Sequence, residues 1–415
     1  MEFTYLGIIF ILFFALQGIC KLVLDFMNYK HRLKNLNFIP EELEGFIDKV
    51  KLEKINLYSN DKLKFSLAEF VVENIIILLI IFLGVISFYY NFIVTITTNI
   101  YLIGFIFFIT YFLLQFLIGI PFSLYLNFVI EKKFGFNKMS IKLWFLDMIK
   151  MLIMSLIINA ILLFPLMFFL FNFTNFWFIL VWLFILVFSL FIQIIYPNVI
   201  APLFNKFEPL KNEDLKSKIE HLIKECGFKS DGIFEMDASK RTTHGNAYFA
   251  GIGNTKRIVL FDTLLKNHTD DEILSILAHE LGHFKHKHIL KSLIFSAIFS
   301  LIGLFLINFI IDSNILYETF KFHEKFRIIG LFLIWIVFEP VMFFISPVSS
   351  YFSRKNEYQA DRFAKDKMGK SEYLINALKK LNVDNLSNIY PHPIFVWFYY
   401  SHPPLFDRIR ALKNN

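Results

Sequence analysis

Seven long apolar runs limit what this chain of 415 residues can fold into. The hydrocarbon core of a bilayer is about 30 Å thick, and a helix needs about 20 residues to cross it. Apolar runs of this length lie near residues 4–24, 70–92, 99–128, 147–170, 175–197, 290–311 and 327–347. They predict an integral, multi-pass membrane protein with seven transmembrane helices.

The composition excludes a water-soluble globular protein and gives no support for a nucleic-acid partner. Hydrophobic residues make up 56% of the chain and charged residues 19%, against about 25% charged in an average soluble domain. The net charge of +7 is modest, and the sequence contains no basic stripe interleaved with aromatic residues. Membrane lipids are therefore the expected partners, and two cysteines are too few for a disulfide scaffold.

Lysine and arginine residues predict the orientation of the chain. The connections 28–65 and 131–146 hold eight and four of these residues, whereas the turns near 93–98 and 171–174 carry no charge. Basic loops stay on the cytoplasmic side. The N-terminus is then outside, and the C-terminus lies in the cytoplasm with the two polar stretches 198–289 and 348–415. The nearly neutral turn 312–326 fits this assignment less well.

The polar stretches predict a two-part organisation. Residues 1–197 form an N-terminal membrane region with five transmembrane helices, and residues 198–415 form a second region with two more, at about 290–311 and 327–347. Short apolar segments at 232–236, 247–250 and 257–261 are typical of strands. We expect an all-α membrane protein with an α+β lobe inserted on the cytoplasmic side.

A metal-binding pattern lies in the first polar stretch. Thr269 and Glu272 form a capping-box pattern that predicts the start of a helix. On that helix, His279 and His283 are four residues apart, so both imidazoles face the same side one turn apart, with Glu280 beside them. This arrangement suits a tetrahedral Zn²⁺ and a carboxylate that accepts a proton from water. The alternative is a cytoplasmic helix with solvated histidines.

A third ligand favours the zinc site over that alternative. Catalytic zinc keeps three protein ligands and one water, and Glu357 and Asp361 lie on one face of a downstream helix. Glu357 is the expected ligand, and Asp361 the expected acceptor that orients a zinc-bound histidine. Position 289 is Ile, which excludes a third histidine ten residues after the first. His286 and His288 are expected to be solvated or to lie behind the ligands.

Several motifs resemble the type I CAAX prenyl protease family, a group of zinc metallopeptidases of the gluzincin type. The matching segments are Glu131–Lys138, Ala201–Phe207, Ser239–Arg241, Asn246–Phe249, His279–His283, Ser353–Arg354 with Glu357 and Asp361, and Ser401–Pro404 with Arg408. The last three of these occur in the order and membrane context that the family requires. The resemblance implies seven helices around a large chamber, one Zn²⁺ per chain, and Glu280 as general base and acid.

The resemblance also implies roles for four further residues. Asn246 and Ala247 match an edge strand that holds a substrate peptide in extended form. His402 matches a histidine that donates a hydrogen bond to the developing oxyanion. For Arg408 we expect a buried pairing with a site carboxylate or with the tetrahedral intermediate. Without the resemblance, a strand-end amide at Asn246 and a rigid loop at His402 are the alternatives.

The expected function is a zinc-dependent membrane endopeptidase that cleaves C-terminal or membrane-associated peptides, with or without a lipid on the substrate. In eukaryotic members the resemblance implies removal of the last three residues of prenylated CaaX proteins. The abundance of Phe, Ile, Lys and Asn favours a bacterial inner membrane, with the endoplasmic reticulum membrane as the eukaryotic alternative. A non-catalytic, zinc-stabilised scaffold or transporter is the alternative function, and Glu339 within the seventh run supports it.

Overall fold

Helices that could cross a membrane make up most of the molecule. The computed structural model describes residues 1–251 and 257–414. Within that part of the chain, seven helical stretches are long and apolar enough to span a bilayer, which confirms the predicted number. They comprise α1 (Tyr5–Lys34), α2 (Lys49–Phe82), α4 (Ile100–Tyr125, continued to Phe134 through a π-helical turn and α5, Lys132–Phe134), α6 (Ile141–Asn172), α7 (Trp177–Ile195), α11 (His288–Ile310) and α13 (Arg327–Met368).

The second span differs from its predicted bounds. The apolar run 70–92 is not one helix, because α2 ends at Phe82 and Gly84 adopts a left-handed conformation with φ 70°. A separate helix, α3 (Val85–Ile96), follows. Toward its N-terminus, α2 begins at Lys49, where the Asp48 side chain accepts a hydrogen bond from the Lys51 backbone. Hydrophobicity alone does not reveal this polar first half.

The last span also extends beyond its predicted end at 347. Helix α13 runs for 42 residues and passes Pro340 and Pro347 without ending. It finishes at Met368, followed by Gly369 in the left-handed conformation that commonly ends a helix. One continuous helix therefore leads from the membrane-spanning part into the polar lobe.

The apolar surface of the spans is divided between an outer and an inner face. Phe88, Phe164 and Phe309 are more than 60% exposed, as expected for side chains that lie in lipid. In contrast, Phe10 and Trp177 are almost fully buried in a shared cluster between the helices. The many phenylalanines thus both cover the outside of the bundle and hold it together.

The polar lobe contains a small sheet and the remaining helices. Among the described residues, the sheet has four strands in the order β1-β2-β4-β3, of which only β2 and β4 are parallel. The strands are β1 (Phe207–Pro209), β2 (Ile233–Met236), β3 (Ala247–Ala250) and β4 (Arg257–Phe261), and the helices are α8 (Glu213–Glu225), α9 (Asp262–Asn267), α10 (Asp270–Lys285), α12 (Asn314–Thr319), α14 (Glu372–Asp384), α15 (Pro393–Tyr399) and α16 (Leu405–Asn414).

This architecture confirms an all-α membrane protein with an α+β lobe. The three predicted strands are present, and β1 is an additional strand of three residues that ends in a proline, a residue suited to a sheet edge. Strand β3 forms the opposite edge of the sheet. The edge position of β3 leaves one side of its backbone available to another extended chain.

Candidate active site

Helix α10 carries the two histidines of the predicted metal site. The capping box is present: the Thr269 hydroxyl accepts a hydrogen bond from the Glu272 backbone, and the Glu272 carboxylate accepts one from the Thr269 backbone. The four-residue spacing places the Nε2 atoms of His279 and His283 3.2 Å apart. The local sequence therefore sets the direction of both imidazoles.

Helix α13 supplies the carboxylate that meets them. Glu357 is buried, and its two carboxylate oxygens lie 3.4 Å from His279 Nε2 and 3.3 Å from His283 Nε2. The helices approach closely at Gly282, where a Cβ atom would stand 2.9 Å from Ala360 Cα. A residue without a side chain at this position allows ligands from two helices to converge.

The three side chains fit a tetrahedral metal ion. Ligand atoms at the usual zinc distances of about 2.0–2.2 Å lie roughly 3.3 Å from each other in a tetrahedron. Here the two histidine Nε2 atoms are 3.2 Å apart, and each faces a different oxygen of Glu357, at 3.4 Å from His279 and 3.3 Å from His283. One ligand atom from each residue lies within 4.8 Å of the other two. In the described part of the chain, the buried Oε2 atom of Glu357 makes no well-aligned hydrogen bond, although His402 Nδ1 lies 3.0 Å and Arg408 3.7 Å from it. Two imidazoles and a carboxylate are ligands that zinc commonly takes, so this donor set suits a zinc ion.

A buried ion pair lies behind His279. Its Nδ1 atom is 2.8 Å from Asp361, which also accepts two hydrogen bonds, of 2.8 and 2.6 Å, from the guanidinium of Arg408. Arg408 comes from α16 and also lies 3.7 Å from Glu357. The structure thus brings Asp361 and Arg408 together with the candidate ligands, with Arg408 paired to a site carboxylate.

Glu280 lies beside the candidate ligands on α10. Its carboxyl group is partly buried and feels the charges of both histidines, Glu357 and His402. Burial, the largest effect, raises the pKa of the Glu280 carboxyl above its ordinary value. A carboxylate with a raised pKa is a stronger proton acceptor than one in water, as a general base requires.

A cleft of about 720 Å³ lies beside this cluster, and His402 and Arg408 are among the residues that line it. The His402 imidazole, 67% exposed, has its Nδ1 atom 3.0 Å from Glu357. The cleft is lined by polar side chains that include His244, Asn246, Asn385, Tyr399, His402 and Arg408. Its walls therefore offer hydrogen-bond donors and acceptors to a peptide beside the candidate ligands.

Asn246 and Ala247 lie at the edge of the sheet next to this cleft. The Asn246 carbonyl accepts a hydrogen bond from Phe261 of β4. Hydrogen-bonded pairs alternate along antiparallel strands, so the next pair, Ala247 with Leu260, leaves the polar groups of Ala247 facing outward. The Ala247 N–H donates to the Asn246 side chain, 2.8 Å away. Ala247 thus turns its backbone polar groups away from β4, while the residue as a whole is buried.

The sequence left two further groups of contacts open or unassigned. His288 Nδ1 lies 3.0 Å from His283 Nδ1 and the residue is buried, so of the two expectations for His288 the structure agrees with a place behind the ligands and not with a solvated side chain. In the cleft wall, His244 stacks on Phe136 and contacts Asn385 at 2.7 Å and Glu131 at 3.5 Å. The sequence pointed to the contacts of His244 only through the segment Glu131–Lys138, which resembles the family but had no assigned role.

Comparisons with known proteins agree with this architecture. Residues 28–206 match a family described as "CAAX prenyl protease N-terminal, five membrane helices", and residues 209–415 match "Peptidase family M48". A "Probable CAAX prenyl protease 1" of Schizosaccharomyces pombe is 39% identical over 306 residues. That alignment covers 72% of this chain and 64% of the yeast protein, slightly less than two thirds of its length.

Two other relatives match over nearly their whole length. A "CAAX prenyl protease 1 homolog" of Oryza sativa subsp. japonica is 35% identical, over 93% of this chain and 92% of the rice protein. The "Crystal Structure of S. mikatae Ste24p" superposes with a TM-score of 0.91 at 34% identity, covering 99% of this chain and all of that one. With both of its parts matched and its whole fold shared, this chain belongs to the type I CAAX prenyl protease family of membrane metallopeptidases.

Proposed function

We propose that this CAAX-type zinc metalloprotease is an endopeptidase whose zinc ion, one per chain, is held by His279, His283 and Glu357. The observation that carries the proposal is the convergence of these three side chains: one ligand atom from each lies within 4.8 Å of the other two. The group lies beside a polar cleft lined by His402 and Arg408. Asp361 fixes the ring of His279, and Arg408 holds Asp361. Such outer hydrogen bonds orient metal ligands and strengthen binding.

The chain's own residues then provide the steps of peptide hydrolysis. When bound, zinc supplies a Lewis acid that activates water and polarises a carbonyl group. Glu280 accepts the proton of the attacking water and later gives it to the leaving amine. His402 donates a hydrogen bond to the carbonyl oxygen as negative charge develops there.

Backbone pairing would hold the substrate in place. The outward-facing groups of Ala247 can pair with an extended peptide as an added strand, which gives affinity without strict sequence requirements. The Asn246 side chain accepts a hydrogen bond from the Ala247 N–H. On substrate binding, Asn246 would give up this hydrogen bond and form one with the peptide. The scissile bond would then lie between the edge of β3 and Glu280.

The substrate class follows from the relatives. The S. pombe and rice proteins are named as CAAX prenyl proteases, and we propose that this chain also cleaves C-terminal or membrane-associated peptides, with or without a lipid. Its family and the named proteases support an enzyme over the scaffold or transporter alternative. Nucleic acid has no place in this proposal.

For the location, we propose that the lobe of residues 198–289 and 348–415 faces the cytoplasm and that the N-terminus lies outside. The basic connections 28–65 and 131–146 support this orientation. The composition favours a bacterial inner membrane, and the yeast and rice relatives favour the endoplasmic reticulum. In either membrane the lobe would face the cytoplasm.

We also propose that the chain is organised as two regions, residues 1–197 and residues 198–415.

Cleavage by the purified, zinc-loaded protein tests the proposal. A farnesylated peptide that ends in a CaaX sequence is compared with its unlipidated twin, and the products are identified by mass spectrometry. We expect release of the last three residues from the farnesylated peptide and zinc-dependent cleavage of at least this substrate. Zinc-loaded protein that cleaves neither peptide would refute the proposed activity. Equal cleavage of both would show that the lipid is not required.

A further inference from the structure

The two candidate zinc histidines have different partners behind them. His279 Nδ1 contacts the carboxylate of Asp361, whereas His283 Nδ1 contacts a second imidazole, that of His288, at 3.0 Å. His288 is buried, with 3% of its surface exposed, and its other nitrogen, Nε2, lies 2.9 Å from Gln359 Oε1. A buried histidine with both ring nitrogens engaged is held in one orientation.

We propose that His288 is a positioning residue for the metal site: with Gln359 it forms a hydrogen-bonded relay that fixes the ring and the tautomer of His283. This inference rests on the proposed assignment of His283 as a ligand. In the relay Gln359–His288–His283, the partner of His283 is a neutral imidazole, whereas the partner of His279 is the anionic carboxylate of Asp361.

Each proton in this relay has one consistent place. A ligating histidine keeps its Nε2 lone pair for the metal, so the ring proton of His283 must reside on Nδ1. His283 Nδ1–H then donates to His288 Nδ1, which must be unprotonated. His288 in turn carries its proton on Nε2 and donates to the carbonyl oxygen of Gln359, which accepts. The amide thus selects the tautomer of His288, and His288 that of His283.

The backbone conformation before His288 brings its side chain close to His283. Helix α10 ends at Lys285 and α11 begins at His288, with Lys287 between them in the left-handed conformation at φ 55°. This conformation is unfavourable for a lysine, because its Cβ crowds the backbone. The tight reversal brings the first residue of a membrane-spanning helix back against the helix of the ligands. Gln359 lies on α13 between Glu357 and Asp361.

Zinc affinity is the first test, because it does not depend on activity. His288→Phe keeps a planar ring but removes both nitrogens, and we expect it to bind zinc about 10–100-fold more weakly in a competition titration with a chelator. Gln359→Leu removes the acceptor at similar volume and should weaken zinc binding less than His288→Phe does. His288→Asn, whose side-chain oxygen lies near the position of Nδ1, should recover part of the affinity. The matched control is His286→Phe, the same change at a ring that packs against His288 and Phe363.

A spectrum and a kinetic measurement separate positioning from general destabilisation. In the Co²⁺-substituted protein, His288→Phe should shift the visible absorption bands, since the ring of one ligand is no longer fixed. At saturating zinc, kcat should fall while KM for the peptide stays within about two-fold, as expected when ligand geometry and not substrate binding changes.

The outcomes distinguish this inference from the proposed function. If the wild-type protein binds no zinc, the metal site itself is wrong. If wild type binds zinc and His288→Phe binds it equally well, or if His286→Phe weakens binding as much, the relay is wrong while the site stands. Should His288→Phe fail to fold, Gln359→Leu decides: unchanged zinc affinity and an unchanged Co²⁺ spectrum in that variant would also overturn the relay.

Discussion

Gly282 of α10 lies directly against the backbone of Ala360 in α13, so that a Cβ atom at position 282 would stand 2.9 Å from Ala360 Cα and 3.1 Å from its carbonyl oxygen. Both atoms belong to the main chain of a buried residue and cannot rotate away. This contact sets the distance between the helix of the two histidines and the helix of Glu357. The glycine within the His279–His283 motif therefore has a packing role.

Gly282→Ala should separate the two helices. Alanine is the better helix former by about 1 kcal/mol, but overpacking against an immovable backbone costs about 1–3 kcal/mol, and metal ligands tolerate shifts of only about 0.5 Å. We expect weaker zinc binding and a large loss of peptide hydrolysis. Gly303→Ala in α11 is the control, because a Cβ there meets no described atom within 4 Å. Full zinc affinity in Gly282→Ala would contradict this explanation.

Arg408→Leu should destabilise the lobe strongly. It removes one partner of a buried, two-hydrogen-bond pair and leaves the charge of Asp361 uncompensated, a change that costs about 3–5 kcal/mol. The matched control is Arg410→Leu, two residues later, whose ion pair with Asp407 is exposed and worth about 0–1 kcal/mol. Thermal unfolding in detergent compares the two variants. Equal melting temperatures would show that the buried pair does not stabilise the fold.

His402→Ala should affect catalysis more than metal binding. Loss of one oxyanion donor lowers kcat about 10²–10³-fold, and His402, the proposed donor, is exposed in the cleft with its Nδ1 atom 3.0 Å from Glu357. Zinc content and KM should change little. His221→Ala, at an exposed position of α8, serves as the control for loss of a histidine. Loss of zinc in His402→Ala would instead identify His402 as a ligand.

The proposed orientation can be tested by thiol labelling of intact cells or vesicles. After replacement of Cys20 and Cys226, a single cysteine is introduced at Thr98, in an exposed turn, or at Lys370, after α13. The positive-inside rule predicts that a membrane-impermeant reagent labels Thr98→Cys from outside and Lys370→Cys only after permeabilisation. The reverse labelling pattern would mean that the lobe faces outward.

The number of spans could be predicted from the sequence because an apolar run of about 20 residues is by itself sufficient to predict a transmembrane helix. Their bounds could not: α2 begins among polar residues, and α13 continues past two prolines because neighbouring helices and not local sequence hold it. The His279 and His283 geometry was predictable, since it is local to one helix. In contrast, the relay through His288 depends on a left-handed Lys287 and on α13, neither of which a helical pattern reveals.

Glu280 is the proposed general base, and one substitution isolates its role. Glu280→Gln keeps the shape of the side chain and removes its ability to accept a proton, while His279, His283 and Glu357 remain. His279→Ala is the matched variant, and it should lose the metal itself. Elemental analysis and peptide cleavage are measured on the same purified samples.

We predict that Glu280→Gln contains about one zinc per chain, as three intact ligands require, and hydrolyses no peptide. Retained hydrolysis in Glu280→Gln at full zinc occupancy would show that Glu280 is not the general base.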